Sequence, residues 1–234
     1  MGESRIRVGL LGYGTVGSAF VDLLESQKST ILSRTGLELV VTHIAVSDLN
    51  KDRPGLDTQT VLTDKPSEVI ENNEVDLVVE LMGGLLPARD LVKAALEKNK
   101  PVITANKELL SKEGKYLFTL AGERNVDLLF EAAVAGGIPL IRVLRQSLLG
   151  EPVEKIMGIV NGTTNYILSQ MEENGMPYIE ALLEAQKLGY AESDPTADVS
   201  GQDAASKAAI IAMVAFGADV SLDDAVSYTH LRAH

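Results

Sequence analysis

The sequence predicts an α/β chain: a Rossmann-type doubly wound parallel sheet, followed by an incomplete α+β domain for substrate binding and dimerisation. Three observations lead there. Short β-rich runs alternate with helical stretches over the first half, the rhythm of parallel strands joined by helices. The run Gly12-Tyr13-Gly14-Thr15-Val16-Gly17 directly follows the first of those strands and opens a helix. After Gly136-Gly137-Ile138-Pro139 the alternation gives way to mostly helical periodicity.

Strands are expected at Ile6–Leu11, Leu39–Val46, Val75–Leu81, Pro101–Ala105 and Val126–Glu131. The third and fifth are nearly continuous apolar runs, as strands covered on both faces should be. Helices fill the gaps at Thr15–Ser26, at Pro87–Lys98 with a proline in its first turn, and at Leu109–Arg124. Gln27–Leu37 reads as a long loop. Residues 1–140 thus form one nucleotide-binding domain. Residues 141–226 read as part of a second domain, with a helix over 138–148, a strand at Val153–Val160, a polar turn from Asn161 to Asn165, and then mostly helix to Gly217. A lone strand makes no sheet, so its partners are expected from another chain or from sequence beyond this one. Residues 227–234 have neither period and hold two of the three histidines; they read as a non-native tail.

Composition narrows the function. The formal net charge is −12 with no basic stripe, which disfavours nucleic acid and anionic membrane surfaces. There is no cysteine, hence no disulfide framework, thiolate nucleophile or zinc–thiolate site. The apolar run from Ala208 to Ala218 is too short to span a bilayer, and the N-terminus lacks a signal-peptide core. Cytoplasm is the default.

The glycine loop is the first chemical signal. A dinucleotide site needs glycine for the tight turn, for close approach to the pyrophosphate, and for close packing of the helix, whose N-terminal N–H groups then face the phosphates. The same residues also describe a tight turn without a ligand. Asp48 is the candidate for the adenosine ribose, although it lies 31 residues after Gly17, where about 20 is usual. Lys51 and Arg53 could hold a 2′-phosphate instead, or be a solvated turn, so NAD and NADP both stay open. Ligands in such sheets sit beyond the carboxyl ends of strands. Two ends attract attention: Leu81-Met82-Gly83-Gly84, where glycines let backbone approach a nicotinamide ribose, and Thr104-Ala105-Asn106-Lys107, where a lysine can reach cofactor and substrate. Lys107 also reads as a surface lysine heading the next helix.

A second cluster follows Gly189. The segment to Asp198 carries three carboxylates around a proline turn, and Asp203 and Lys207 then share a helix face at i, i+4. That spacing alone describes an exposed ion pair. The helix continues Ala-Ala-Ile-Ile-Ala-Met-Val-Ala-Phe, however, and is expected to be buried almost all round, which would partly desolvate Lys207 and suit it to proton transfer. His43 lies in a strand, and His230 and His234 in the tail, so lysine is the remaining general acid/base.

Together with Glu131–Pro139 (EAAVAGGIP) and Asn161–Asn165 (NGTTN), the glycine loop, Thr104–Lys107 (TANK) and Gly189–Val199 (GYAESDPTADV) make the chain resemble homoserine dehydrogenases, in order and spacing, from residue 5 to about 226. The resemblance implies NAD(P)-dependent interconversion of L-homoserine and L-aspartate 4-semialdehyde, on the route to threonine, methionine and isoleucine. It implies catalytic roles for Lys207, Lys107 and Asp198. It assigns Glu192, Asp203, Gly162 and Thr163 to the substrate. It assigns Gly12, Tyr13, Gly14, Thr15, Val16, Gly17, Met82, Gly83, Thr104, Lys107 and Gly189 to NADP or NAD. A sodium ion would bind Glu131, Val134, Gly136 and Ile138, largely through carbonyls. Members preferring NADP often carry arginine where this chain has Ser47. The resemblance further implies a homodimer at full length, and that the chain as it stands folds poorly or is inactive. A semialdehyde dehydrogenase of the same route would need a cysteine. A catalytically inactive dinucleotide-binding module or sensor is the reading from a different class.

Overall fold

The computed structural model describes residues 4–227, and the chain divides into two compact units, Met1–Ala133 and Val134–His234.

The first unit is built on a six-stranded sheet: β1 (Ser4–Leu11), β2 (Leu37–Ala45), β3 (Val61–Thr63), β4 (Leu77–Glu80), β5 (Val102–Thr104) and β6 (Leu128–Leu129). Every neighbouring pair is parallel, in the order β3-β2-β1-β4-β5-β6. The chain therefore winds outward from β1 in both directions, and the reversal between β1 and β4 opens a crevice at their carboxyl ends. Five helices cross between the strands: α1 (Thr15–Ser26), α2 (Lys28–Thr35), α3 (Pro66–Glu71), α4 (Ala88–Glu97) and α5 (Lys107–Arg124). Burial explains the central strand. Val8, Leu10 and Leu11 are all buried, and Val8 and Leu10 pack with Val21 and Leu24 of α1 and with Val41 and Ile44 of β2. Gly9 is needed where α3 closes on the sheet, because a Cβ there would lie 2.5 Å from Val69 Cγ1.

Three features of this unit depart from the sequence reading. Lys28–Thr35 is a helix and not a loop; it ends on Gly36, whose φ of +73° is the left-handed cap glycine favours. It also accounts for the long spacing to Asp48. The strand β3 and the helix α3 carry no long periodic run and were not expected. Helix α5 starts two residues earlier than expected, because the Asn106 side chain accepts from Leu109 N and caps it.

The described part of the second unit holds helices: α6 (Gly162–Asn174), α7 (Tyr178–Lys187), α8 (Thr196–Val199) and α9 (Gln202–Phe216). Its core gathers Ile167, Ala181, Ala185 and Ala191, with Tyr166 and Met171 packed against them. The helix expected over 138–148 begins only at Ile141, beyond Pro139, and widens to a π-turn at Val143–Ser147. The expected strand Val153–Val160 is not formed. Its apolar alternation is real, but a strand needs a neighbour for its N–H and C=O groups, and no strand of this unit is present among the described residues. Met157 and Ile159 are left 79% and 76% exposed. Asn161–Asn165 is not a turn either: Asn161 is the N-cap of α6, accepting from Thr164 N at 2.8 Å.

The tail assignment falls mostly on residues 228–234, outside the described residues. Among the described residues, no helix is long and apolar enough to cross a membrane.

Candidate active site

Each glycine of the first loop meets a different steric demand. Gly12 has φ +98°, and a Cβ on it would lie 2.9 Å from Leu81 O and 3.1 Å from Met82 Cα. The loop thus sits directly on the backbone leaving β4. A Cβ on Gly17 would come within 2.3 Å of Gly12 O, so the first turn of α1 closes onto the loop only with glycine. Gly14, the N-cap of α1, faces open space: a Cβ there would meet nothing within 4 Å. No side chain caps α1, and Thr15 and Val16 at its start are exposed. An uncapped helix N-terminus behind an open glycine is a cradle of the size and polarity a pyrophosphate needs.

A cavity of about 500 Å³ adjoins it, lined by Gly12, Tyr13, Gly14, Ser47, Asp48, Lys51, Arg53 and Met82 among others. The sheet's reversal point therefore carries the pocket. Two of the charged residues at its β2 side are tied down locally. Asp48 accepts from Asn50 N at 2.9 Å, and Arg53 donates to the carbonyls of Lys51 and Asp48, both at 2.7 Å. The Arg53 guanidinium lies 6.0 Å from the centre of the Tyr13 ring, and its Nε is buried without a partner. Burial raises the Tyr13 hydroxyl above its ordinary pKa, with Asp22 adding to the effect and Arg53 opposing it. The donors around the cavity fit an anionic, sugar-bearing nucleotide.

Beyond β4 and β5 lies a network that sequence reasoning missed. Glu80 is fully buried. Its Oε1 accepts from Met82 N at 2.8 Å and Gly83 N at 3.1 Å, and its Oε2 accepts from the Thr104 hydroxyl at 2.6 Å. Thr104 Oγ1 in turn accepts from Asn106 N, and Asn106 Nδ2 donates to Gly84 O at 2.7 Å. Met82, Gly83 and Thr104 are thereby held by one side chain. Lys107, half-buried, is the first residue of α5, directly after this network.

In the second unit the acids and the lysine do converge. Lys207 Nζ donates to Asp203 Oδ2 and to Val160 O, both at 2.6 Å. The Lys207 side chain is 17% exposed and that of Asp203 is 3% exposed, so the pair is not the surface bridge that i, i+4 spacing usually denotes. Helix α9 is not buried all round, however: Ala208, one residue along, is exposed. Most of its circumference is nevertheless covered: Asp203, Ala205, Ser206, Ala209, Ile210, Ile211 and Met213 are all buried, and only Gln202, Ala208 and Phe216 are exposed. Asn161 is the hub of the cluster. Its Nδ2 donates to Asp198 Oδ1 at 2.7 Å and to Asp203 Oδ2 at 2.8 Å, while its Oδ1 accepts from Thr164. Two carboxylates are bridged by one amide. Thr163 donates to Tyr190 O at 2.6 Å, which fixes the segment after Gly189 to the start of α6. Gly162 opens that helix, and Gly189 sits at φ +80°.

Glu192 stands outside this hydrogen-bonded cluster and is exposed; its backbone carbonyl accepts from Gln186. Asp194 is exposed too, and two hydrogen bonds from Thr196 hold it below the usual carboxylate range. Glu131 lies in a short 3₁₀ turn of the first unit. Val134 is fully buried in the second, followed by left-handed Ala135 and Gly136 and by exposed Ile138. Among the described residues, no group of three or more His, Cys, Asp or Glu side chains is placed to hold a metal ion.

Comparison with known proteins accounts for both halves. Residues 12–131 match the family described as homoserine dehydrogenase, NAD binding domain, and residues 139–232 match the family described as homoserine dehydrogenase. A homoserine dehydrogenase of Corynebacterium glutamicum is 48% identical over 94% of this chain and 49% of its own length. A homoserine dehydrogenase structure from Thiobacillus denitrificans superposes with a TM-score of 0.90 at 44% identity, over 99% of this chain and 53% of that one. A hyperthermophilic archaeal homoserine dehydrogenase, solved in complex with NADPH, gives a TM-score of 0.79 at 29% identity over 92% of this chain and 70% of its own. The chain spans about half the length of the curated relatives it matches. With family models matched over both of its parts and a relative 48% identical across 94% of its length, this chain belongs to the homoserine dehydrogenase family.

Proposed function

We propose that the chain carries the nucleotide-binding domain and the first part of the catalytic domain of an NAD(P)-dependent enzyme that interconverts L-homoserine and L-aspartate 4-semialdehyde. The observation that carries this reading is the largely buried Lys207, held by Asp203 within a bridged cluster of acids. A bound nicotinamide supplies the hydride chemistry. The chain's own residues bind, orient and move the proton. Gly12, Gly14 and the N-terminus of α1 take the phosphates. Met82, Gly83 and Thr104 form the wall beyond β4 and β5. Lys207 takes the proton of the substrate hydroxyl in oxidation and returns it to the same oxygen in reduction. Asp203 and Glu192 hold the substrate's ammonium group, and Asp198, fixed by Asn161, shapes its pocket. Lys107 is assigned as a second lysine of the reaction on the resemblance alone. Most of the acceleration comes from alignment of the two reactants.

We assign a sodium ion to Glu131, Val134, Gly136 and Ile138, whose carboxylate and carbonyl donors are the hard oxygens such an ion takes. Replacing sodium by choline at constant ionic strength then lowers stability. We also propose that the full-length enzyme is a cytoplasmic homodimer; the exposed Met157 and Ile159 are apolar surface of the kind a dimer covers, and light scattering tests the dimer.

The test of function is NAD(P)H oxidation with aspartate semialdehyde on a chain running the full length of its relatives, with and without Lys207→Ala. Substrate-dependent turnover lost on substitution is expected. Equal rates would remove Lys207 from the mechanism, and nucleotide binding without turnover in either direction would mark a binding module.

A further inference from the structure

We propose that Glu80 is a positioning residue for nucleotide binding, fixing the backbone that leaves β4 as a preformed wall for the dinucleotide. The inference rests on the cofactor reading above.

An acid has no ordinary place in this strand. Glu80 ends a parallel strand whose preceding residues Val78 and Val79 are fully buried, and it is as buried as they are. Desolvating a carboxyl group is costly unless hydrogen bonds replace the water. Here they do, and all three partners belong to segments at the crevice. The contacts close a ring. Glu80 holds the amides of Met82 and Gly83 and the hydroxyl of Thr104; Thr104 holds the amide of Asn106; and the Asn106 side chain returns to Gly84 O. Gly83 and Gly84, at φ +73° and +71°, bend the chain so that it can close.

The ring matters for the ligand because of what rests on it. Met82 lines the cavity, and Gly12 of the phosphate loop packs against Leu81 O and Met82 Cα. A shift of the 81–84 backbone therefore moves the floor under the glycine loop as well as the wall beside it. Preformed sites bind more tightly because their ordering cost is met on folding.

Glutamine is the discriminating replacement. It keeps size and one acceptor oxygen, but its NH₂ must face either the two backbone amides or Thr104 Oγ1, which already accepts from Asn106. Either choice sets donor against donor or leaves the Thr104 proton without its acceptor, at a cost of about 1–3 kcal/mol. The experiment titrates NADH and NADPH by fluorescence into the whole chain, into Glu80→Gln, and into Leu117→Ala. The last removes a fully buried side chain of α5 away from the ring. Kd for both nucleotides is expected to rise about tenfold in Glu80→Gln, the factor that 1.4 kcal/mol gives. In Leu117→Ala, stability falls and Kd stays put. Unchanged affinity in Glu80→Gln, or a loss matched by Leu117→Ala, overturns the proposal. A chain that binds neither nucleotide overturns the cofactor reading itself, and the proposal with it. Amide hydrogen exchange keeps the test open if Glu80→Gln does not fold: Met82 and Gly83 are expected to be protected in the nucleotide-free chain, and fast exchange there refutes a preformed wall.

Discussion

Lys207 Nζ stands 2.6 Å from Asp203 Oδ2, and Asp203 receives Asn161 Nδ2 on the same oxygen. A cation and an amide thus share one buried acceptor. Removing the cation alone, as in Lys207→Met, leaves Asp203 with a charge that burial opposes, and breaking such pairs costs about 3–5 kcal/mol. Urea denaturation is expected to show a loss of that order, of which Lys207→Met with Asp203→Asn recovers most. Simple additivity of the two changes would show that they are not coupled.

Asn161 carries the complementary prediction. Asn161→Asp places a third carboxylate at the 2.7 and 2.8 Å positions where an amide now joins Asp198 and Asp203. Like charges that close cannot all ionise without cost. The variant is expected to melt lower than the parent at neutral pH and to regain part of the difference as the pH falls and a proton is taken up. Melting curves between pH 5 and 8 decide it; a pH-independent gap counts against the idea.

Gly17→Ala probes the phosphate loop. The new Cβ meets backbone, Gly12 O at 2.3 Å, and no side chain rotation relieves that contact. Nucleotide affinity is expected to fall at least tenfold, the equivalent of about 1.4 kcal/mol, with the second unit's cluster unaffected. Retained affinity would show that the loop tolerates a shift.

Gly9→Ala tests packing away from the ligand. Its Cβ would press on Val69 Cγ1 and Val75 Cγ1 at 2.5 and 2.8 Å, and valine has few rotamers with which to yield. Overpacking of this kind costs about 1–3 kcal/mol. Thermal unfolding should show the loss without a change in nucleotide affinity.

Arg7, in the middle of β1, grips Asp76, just before β4, with two guanidinium hydrogen bonds at 2.9 and 2.8 Å and a backbone N–H at 2.8 Å, and its guanidinium holds the Asp76 carboxyl below its ordinary range. A carboxyl with a lowered folded pKa adds stability above its unfolded value, near 3.9, and loses that contribution as pH falls through the folded one. Asp76→Asn is therefore expected to differ from the parent above pH 4 and to converge with it in stronger acid. A difference that persists at pH 2 would point to packing.

How much of this was legible in the sequence depends on whether the signal was local. The helix at Thr15–Ser26 announces itself, because a glycine loop precedes it and apolar residues recur along one face. Lys28–Thr35 does not, since its serines, threonines and isoleucine are weak helix formers, and its stop signal, Gly36, reads equally as a turn. The alternation at Val153–Val160 is a strand pattern without a strand, because pairing is a property of the neighbour. Lys207 and Asp203 could be put on one face by counting; that Asn161 bridges Asp203 to Asp198 from 42 and 37 positions away could not. Glu80 did leave a trace. A single acid closing a run of valines, just before Met82-Gly83-Gly84, is out of place in a buried strand, and such a misfit asks for partners.

The ring that Arg53 closes on its own loop bears on redesign. Its two terminal nitrogens grip the carbonyls of Lys51 and Asp48, so replacing it would unpick the turn before it altered any ligand contact. Engineering a switch between the phosphorylated and unphosphorylated coenzymes should therefore begin at Ser47 and Lys51 and leave the arginine as scaffold.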